Sequence, residues 1–422
     1  MWTSLRLDIS WRDLVSGLGG ALLAWGAAKE ARRLESRWGK DGDGIACLSV
    51  RSALDLLFSC LELPAGSEVL FSAVTVPDMV TIAREHGLRP VPVDVAGADL
   101  RVDPDALRRA LSPQARVLVV AHLFGARPDI TPILDIARGA GLYVVEDCAQ
   151  AWCGREYRGE PRADASLFSF GPIKTATALG GALARISDRT LLERMRARQA
   201  AWPVESRRGF AAKVLQYSVL RLITTRRIMA IMVRIARLRD INVEGLISRL
   251  TRGFPGADLF AQIRRRPCGA KLALIDRRLR TYDMRRIERR VEYARRILEC
   301  TGLDRRSPEL ADPRHSFWLC PFPSRDPSRL VDRFEERGYH AARFGSLEVT
   351  PPPEDRPELE CRSARRRLDA IVFVPCYPDL PRAAVKEACA VLQELECENE
   401  GGAGAGWETC GSLVPDRRPE SA

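Results

Sequence analysis

From Asp43 to about Asp188 the chain alternates short apolar runs with stretches of helical periodicity. In order these are SVRSALDLLFSCLEL, EVLFSAV, DMVTIAREHG, PVPVDV, PDALRRAL, RVLVVAHLF, ITPILDIARGAG, LYVVEDCA and ASLFSF. Parallel neighbours in a sheet need a crossover of a dozen or more residues, so this alternation predicts an α/β unit with a mostly parallel sheet flanked by helices. RVLVVAHL and LYVVED are apolar throughout rather than at every second position, as expected of strands buried on both faces. Farther on, HSFWLCPFP and AIVFVPCYP bracket a smaller C-terminal α/β unit with the helices PSRLVDRFEERG and PRAAVKEACAVLQELE.

The same pattern sets expected boundaries. An N-terminal helical segment occupies 1–40, the large domain 41–200 and a basic amphipathic helical insertion 201–260. Arg264 to Arg296, apolar at every third or fourth position with Arg elsewhere, reads as one or two long helices and gives a linking helix over 261–300. The small domain follows over 301–396, and the Gly-, Glu- and Ser-rich tail 397–422 is expected to be disordered.

Two segments carry more than one reading. Leu14 to Ala28 is apolar but, at 15 residues with four glycines, shorter than the roughly 20 that cross a bilayer; it is a buried or docking helix, or an interfacial one. From Ser206 to Arg239 there are nine Lys or Arg and no acid, interleaved with VLQYSVL, LITT and IMAIMV. That is a helical insertion or subunit-contact hairpin with solvated arginines, or a peripheral contact with a membrane or lipid substrate through 206–239.

Composition narrows the classes. The 422 residues are 46% hydrophobic and 29% charged, with a formal net charge of +11, so the chain buries a substantial core and tolerates acidic partners. The twelve cysteines show no C-x-x-C spacing, and the start MWTSLRLDISWRDL mixes charges into its apolar positions; no metal site, no disulfide framework and a cytoplasmic location are expected, with the inner membrane face as a peripheral option. There is no GxGxxG, no P-loop, and no gathering of charge around aromatic residues, so nucleic-acid binding is not expected.

In such sheets ligands bind beyond the carboxyl ends of the strands. Four places qualify: Val50-Arg51-Ser52, Ala73-Val74-Thr75, Glu146-Asp147-Cys148 and the run Ser169 to Lys174. Lys174 is the one charge between Leu167 and Ala184. It is a surface loop residue, or a desolvated amine of the kind Schiff-base chemistry uses. Asp147, ending LYVVED, is a helix N-cap or a carboxylate seeking a cation, which the protonated ring nitrogen of pyridoxal phosphate (PLP) would supply. Arg51 and Ser52 open a helix whose first N–H groups favour an anion, and Ser169 adds a hydroxyl.

Together these motifs resemble the DegT/DnrJ-type nucleotide-sugar aminotransferases, which are fold-type-I PLP enzymes. Ser49-Val50-Arg51-Ser52-Ala53-Leu54, Gly66-Ser67-Glu68-Val69, Glu146-Asp147-Cys148-Ala149-Gln150 and Ser169-Phe170-Gly171-Pro172-Ile173-Lys174 stand in the family's order, and the likeness runs from about Leu34 to Leu395. The resemblance implies that Lys174 is the Schiff-base lysine and proton shuttle, and that Asp147 pairs with the pyridine nitrogen. It further implies that Gln150 contacts the phenolic oxygen, that Ser169, Arg51 and Ser52 hold the phosphate, and that Thr75 lies at the cofactor. The implied reaction is ping-pong transamination from an amino acid, glutamate in the family, to a keto-sugar on a nucleotide, by a homodimer. Another fold-type-I reaction such as elimination or decarboxylation, or a non-catalytic binding descendant, are the alternatives.

The chain departs from the family pattern in four places. Val50-Arg51 replaces Gly-Thr, Val76 follows Thr75 where an aromatic is usual, no Asn-Tyr-Arg element is recognisable around Arg265-Arg266-Pro267, and the insertion from Ser206 to Gly256 is unexpected.

Overall fold

A computed structural model describes residues 2, 7–23, 26–40, 42–225, 258–343 and 345–400, the last four for their backbone. Most of the insertion and the tail beyond residue 400 therefore lie outside the described residues.

The central sheet has seven strands in the order β1-β10-β9-β8-β7-β2-β4. They are β1 (Gly44–Cys47), β2 (Glu68–Ser72), β4 (Arg89–Val93), β7 (Ala115–Ala121), β8 (Tyr143–Asp147), β9 (Ala165–Ser169) and β10 (Ala182–Ile186). β4, β2, β7, β8 and β9 run parallel; β10 is antiparallel to β9 and to the edge strand β1, which therefore runs in the same direction as the other five. The sheet is thus mostly parallel, as the alternation predicts. The departure comes where the chain returns from β9 to β10 through a loop instead of a crossover helix. Small pairings complete the strands: β3 (Val74–Thr75) with β12 (Glu348–Val349), the hairpin β5 (Val95–Ala96) and β6 (Arg101–Val102), and β11 (Cys320–Pro323) with β13 (Ile371–Val374).

The two faces of the sheet bury different halves of each strand. Val69, Phe71, Val117, Val119 and Val145 pack with the helices α3 (Val50–Leu61), α4 (Pro77–Glu85) and α7 (Arg189–Ala200), while Leu70, Leu118, Val120 and Val144 pack with α5 (Pro104–Ala110) and α6 (Thr131–Gly139). Alternation along a strand puts neighbours on opposite faces, so both faces are dry and each strand reads as a continuous apolar run. Each fully buried side chain of this kind stabilises the fold by about 1.5–3 kcal/mol. Local signals place the helices: Ser49 and Asp188 cap α3 and α7 through their side chains, and Asp103 caps α5 just before Pro104.

A third cluster gathers α1 (Trp11–Leu22), α2 (Ala27–Trp38), α8 (Arg207–Ile223) and α9 (Gly269–Thr281) around Phe168, Phe170 and Leu183. The apolar stretch Leu14 to Ala28 thus divides into the end of α1 and the start of α2. Asp13 ties α1 down: it completes a capping box with Ser10 and pairs with Arg277 (2.9 Å) and Arg278 (2.8 Å) of α9. Burial raises the Asp13 carboxyl, but Ser10, Arg278 and Arg277 outweigh it and hold the group below its ordinary value.

The segment Arg264 to Arg296 forms α9 and most of α10 (Arg285–Cys300), and α10 packs with β11, β13, α11 (Pro327–Glu336) and α12 (Arg382–Glu400) in a separate C-terminal cluster. Of HSFWLCPFP, the strand β11 takes only the end, beginning at Cys320. Ser316 and Leu319 instead donate to the carbonyls of Gly125 (2.8 Å) and Phe124 (3.2 Å).

Candidate active site

The site forms where loops leave the carboxyl ends of adjacent strands. β8 delivers Asp147, whose carbonyl accepts from His122 N (3.0 Å) just past β7, and Cys148 N donates to Leu167 of β9 (2.9 Å). Ser169 ends β9, and the Lys174 loop follows.

That loop is tightly specified. Phe170 N donates to Gly181 O (2.9 Å), Ala178 N and Gly180 N converge on Phe170 O (3.0 and 2.9 Å), and Lys174 N reaches Gly171 O (3.0 Å). Ala176 (φ 54°) and Leu179 (φ 63°) occupy the left-handed region, which costs non-glycine residues free energy and persists only when the surroundings enforce it. The enforcement is visible: Arg278 Nε donates to Thr177 O (3.0 Å), and Ala176 N donates to Asp8 Oδ2 (3.2 Å).

Lys174 Nζ lies 3.9 Å from the centroid of the Trp318 ring, whose Nε1 donates to Ile173 O (2.8 Å). Gly125 permits this approach: a Cβ there would stand 2.5 Å from Trp318 N, and its φ is +97°. Burial draws the Lys174 amine down to about 7, with Asp147 opposing and Arg51 adding to the shift. Burial pushes the Asp147 carboxyl up against the bond from Ala149 N (2.9 Å) and the nearby Lys174, His122 and Arg51. Lys174, Asp147 and Arg51 therefore share one electrostatic neighbourhood.

The other expected site residues divide. Gln150 is buried and its Oε1 accepts from Phe124 N (2.7 Å), leaving the amide nitrogen to serve a ligand oxygen. Ser169 Oγ accepts from Gly171 N (3.3 Å), inside the lysine loop. Arg51 Nε pairs with Asp78 (2.5 Å) at the start of α4. Ser52 is fully buried and its hydroxyl donates to Ile263 O (2.7 Å), turned into packing, while its N–H is taken by Ser49 Oγ (3.1 Å). Thr75 is buried on β3 and paired with Glu348.

Several residues of the site were not singled out by sequence reasoning. His122 Nε2 bonds Glu146 Oε1 (2.8 Å) and its buried Nδ1 has no partner among the described residues. His122, Glu146 and Cys148 bring potential ligand atoms within 4.8 Å of one another. Glu146 Oε2, however, already accepts from Glu160 N (2.7 Å) and Ser166 Oγ (2.8 Å). Gly159 makes room for that arrangement, since a Cβ there would lie 2.5 Å from Glu146 Oε2. Arg290 is buried on α10, donates to Ser316 O (2.9 Å) and Thr175 Oγ1 (3.3 Å), and its Nη2 has no partner among the described residues. A cleft beside Lys174 is lined by Arg290, Arg286, Trp318, Tyr377 and Asp379 among others. The signals were present in VAHLF and HSFW, but nothing local marks a histidine as bonding Glu146 or a tryptophan as facing a lysine far along the chain.

These residues fit a PLP-type group. A buried carboxylate with a raised pKa gains from a cationic ring nitrogen, and a lysine held near neutrality is able to react with an aldehyde. The depressed pKa makes this testable. The apoprotein is expected to take up PLP at a rate that climbs with pH through about 7 and levels off above, as read by the growth of visible absorbance. A midpoint near the ordinary lysine value would show that the amine is not desolvated.

The described residues share the fold of solved aminotransferases, the fold-type-I PLP fold. The aminotransferase TlmJ from Streptoalloteichus hindustanus superposes with a TM-score of 0.68 at 18% identity, over 95% of this chain and 100% of that one. NtdA from Bacillus subtilis, with bound cofactor PMP, gives 0.66 at 16% identity over 92% of this chain and 83% of its own. Residues 31–218 match the model of the DegT/DnrJ/EryC1/StrS aminotransferase family. The dTDP-3-amino-3,4,6-trideoxy-alpha-D-glucose transaminase of Micromonospora megalomicea subsp. nigra is 35% identical over 155 residues, which is 35% of this chain and 41% of that protein. The chain thus matches less than half the length of that curated relative. No helix among the described residues is long and apolar enough to cross a membrane.

Proposed function

We propose that this chain is a PLP-dependent aminotransferase that moves an amino group from an amino acid, with glutamate as the first donor to examine, onto a nucleotide-linked keto-sugar. The observation that carries the reading is the electrostatic coupling of Lys174 to Asp147 across adjacent strand ends, with the amine drawn down to about 7. The dTDP-aminosugar transaminase relative supports a nucleotide-linked acceptor, and the PMP-bound neighbour supports the cofactor.

When bound, PLP supplies an aldehyde carbon that takes up the donor's amine and a protonated ring that accepts the electron pair released at that carbon. Asp147 would hold the proton on the ring nitrogen, a role for which a carboxylate raised by burial is prepared. Lys174 Nζ, near half-neutral at pH 7, would take a proton from one carbon and return it to another. Gln150 would donate its amide to the ring oxygen, and Arg51, at the N-terminus of α3, would meet the phosphate together with Ser169. Trp318 covers one side of Lys174 and keeps water from it. Arg290, which lines the cleft and whose Nη2 has no partner among the described residues, would take a substrate anion. A homodimer and a two-stage exchange, donor first and acceptor second, complete the proposal.

Purified protein with PLP, glutamate and a panel of nucleotide-linked keto-sugars tests it. The expected result is 2-oxoglutarate formed in step with an aminated sugar, each half-reaction observable alone. Release of carbon dioxide or elimination products without amine transfer would replace transamination by another fold-type-I reaction. Failure to form a borohydride-reducible Schiff base would leave a binding protein.

A further inference from the structure

The described residues leave nine large hydrophobic side chains well exposed, and they are not scattered. Six lie on two neighbouring helices: Trp11 (46%), Val15 (70%) and Leu22 (76%) on α1, and Leu215 (53%), Val219 (56%) and Leu222 (49%) on α8. Steps of three, four or seven residues place each trio on one side of its helix. The opposite sides are buried together, Leu14 with Val214 and Tyr217 in one cluster.

The helices run antiparallel. Arg221, near the end of α8, donates to Leu7 O (3.2 Å) ahead of α1 and sits 5.8 Å from the centroid of the Trp11 ring, while Arg207, opening α8, approaches Ala21 O at the other end of α1 (3.5 Å). The two outward trios therefore belong to one face.

Charge on this face has a single sign. α8 contains no acidic residue, and the one acid of α1, Asp13, is buried against Arg277 and Arg278. Arg12, Arg207 and Arg208 are exposed. Past α8 the sequence continues through residues 226–239 with five more arginines and no acid.

We propose that the α1–α8 face docks this protein on an anionic lipid bilayer, the two helices lying in the headgroup plane. Apolar side chains would enter the acyl boundary, Trp11 would sit at the interface, and the arginines would meet lipid phosphates. Neither helix is a candidate span, so docking is peripheral. An apolar stripe whose exposed charges on α1 and α8 are all cationic fits an anionic surface better than a neutral one, and it would be poorly matched by a second copy of itself, which brings the same cations.

Flotation of the full chain with phosphatidylcholine vesicles, with and without about 30 mol% phosphatidylglycerol, tests this at about 50 mM and about 500 mM salt. The expected result is binding to the anionic vesicles only, weakened by salt, with a blue shift of tryptophan fluorescence. The double variant Val219→Glu/Leu222→Glu, checked for an unchanged circular dichroism spectrum and unchanged PLP absorbance, should lose binding by about tenfold or more. Should that variant misfold, Arg207→Gln/Arg208→Gln supplies the same comparison through the charges. No binding at low salt, or equal binding to neutral vesicles, would overturn the proposal. So would a wild-type oligomer that the double variant dissociates in the absence of lipid, since the face would then be covered by another copy.

Discussion

Lys174→Ala is expected to abolish the visible absorbance that the wild-type protein gains with PLP and to lower amine transfer by about a thousandfold or more. The fold should survive. The side chain occupies a cleft wall rather than a core position, and burial depresses its pKa to about 7, so the charged amine is a burden on the native state. The sign follows from linkage: a lysine whose folded pKa lies below its unfolded one destabilises the protein while it must be charged, and the penalty fades as pH rises from about 7 toward 10.5. Thermal unfolding of the apo variant should therefore be no easier than that of the wild type at pH 7. Lys174→Arg separates charge from nucleophilicity, since guanidinium stays protonated and forms no Schiff base. A borohydride-reducible adduct in Lys174→Ala would move the reacting amine elsewhere.

Asp147→Asn should cost about a hundredfold to a thousandfold in amine transfer while leaving the apoprotein as stable or more stable. Asparagine keeps an oxygen for the bond from Ala149 N but cannot hold a proton on a ring nitrogen. The wild-type carboxyl is raised by burial, so the folded chain binds its proton more tightly than the unfolded chain does. Its penalty is present in full above that raised value and is relieved as pH falls through it toward that of an ordinary carboxylate. Unfolding midpoints of the two apoproteins should accordingly differ most at pH values above the raised pKa and converge in acid. Parallel midpoints at all pH values, or undiminished transfer, would show that Asp147 has no such role.

Lys174 and Asp147 were legible in the sequence because each violates a local rule. An isolated amine in an apolar, glycine-rich run and an acid ending a buried strand both need a reason. The sheet was legible for a related cause, since strands such as RVLVVA bury both faces. The reversed direction of β10 was not, because nothing in the residues between Ser169 and Ala182 shows that they loop back without a helix. Arg51 and Ser52, adjacent in sequence, part company in the structure: helix geometry points one toward Asp78 and the other into Ile263. Trp318, Arg290 and His122 gain their meaning from approach across long stretches of chain. Gly125 is what lets Trp318 arrive, and that close passage leaves no trace in local composition.

Arg278 holds three parts of the protein with one guanidinium: Asp13 on α1, the carbonyl of Asp8, and the carbonyl of Thr177 in the lysine loop. Docking helix and reactive loop thus share a rivet, and neither is able to loosen without slackening the other. Whatever grips the outer helix from outside would steady the amine within.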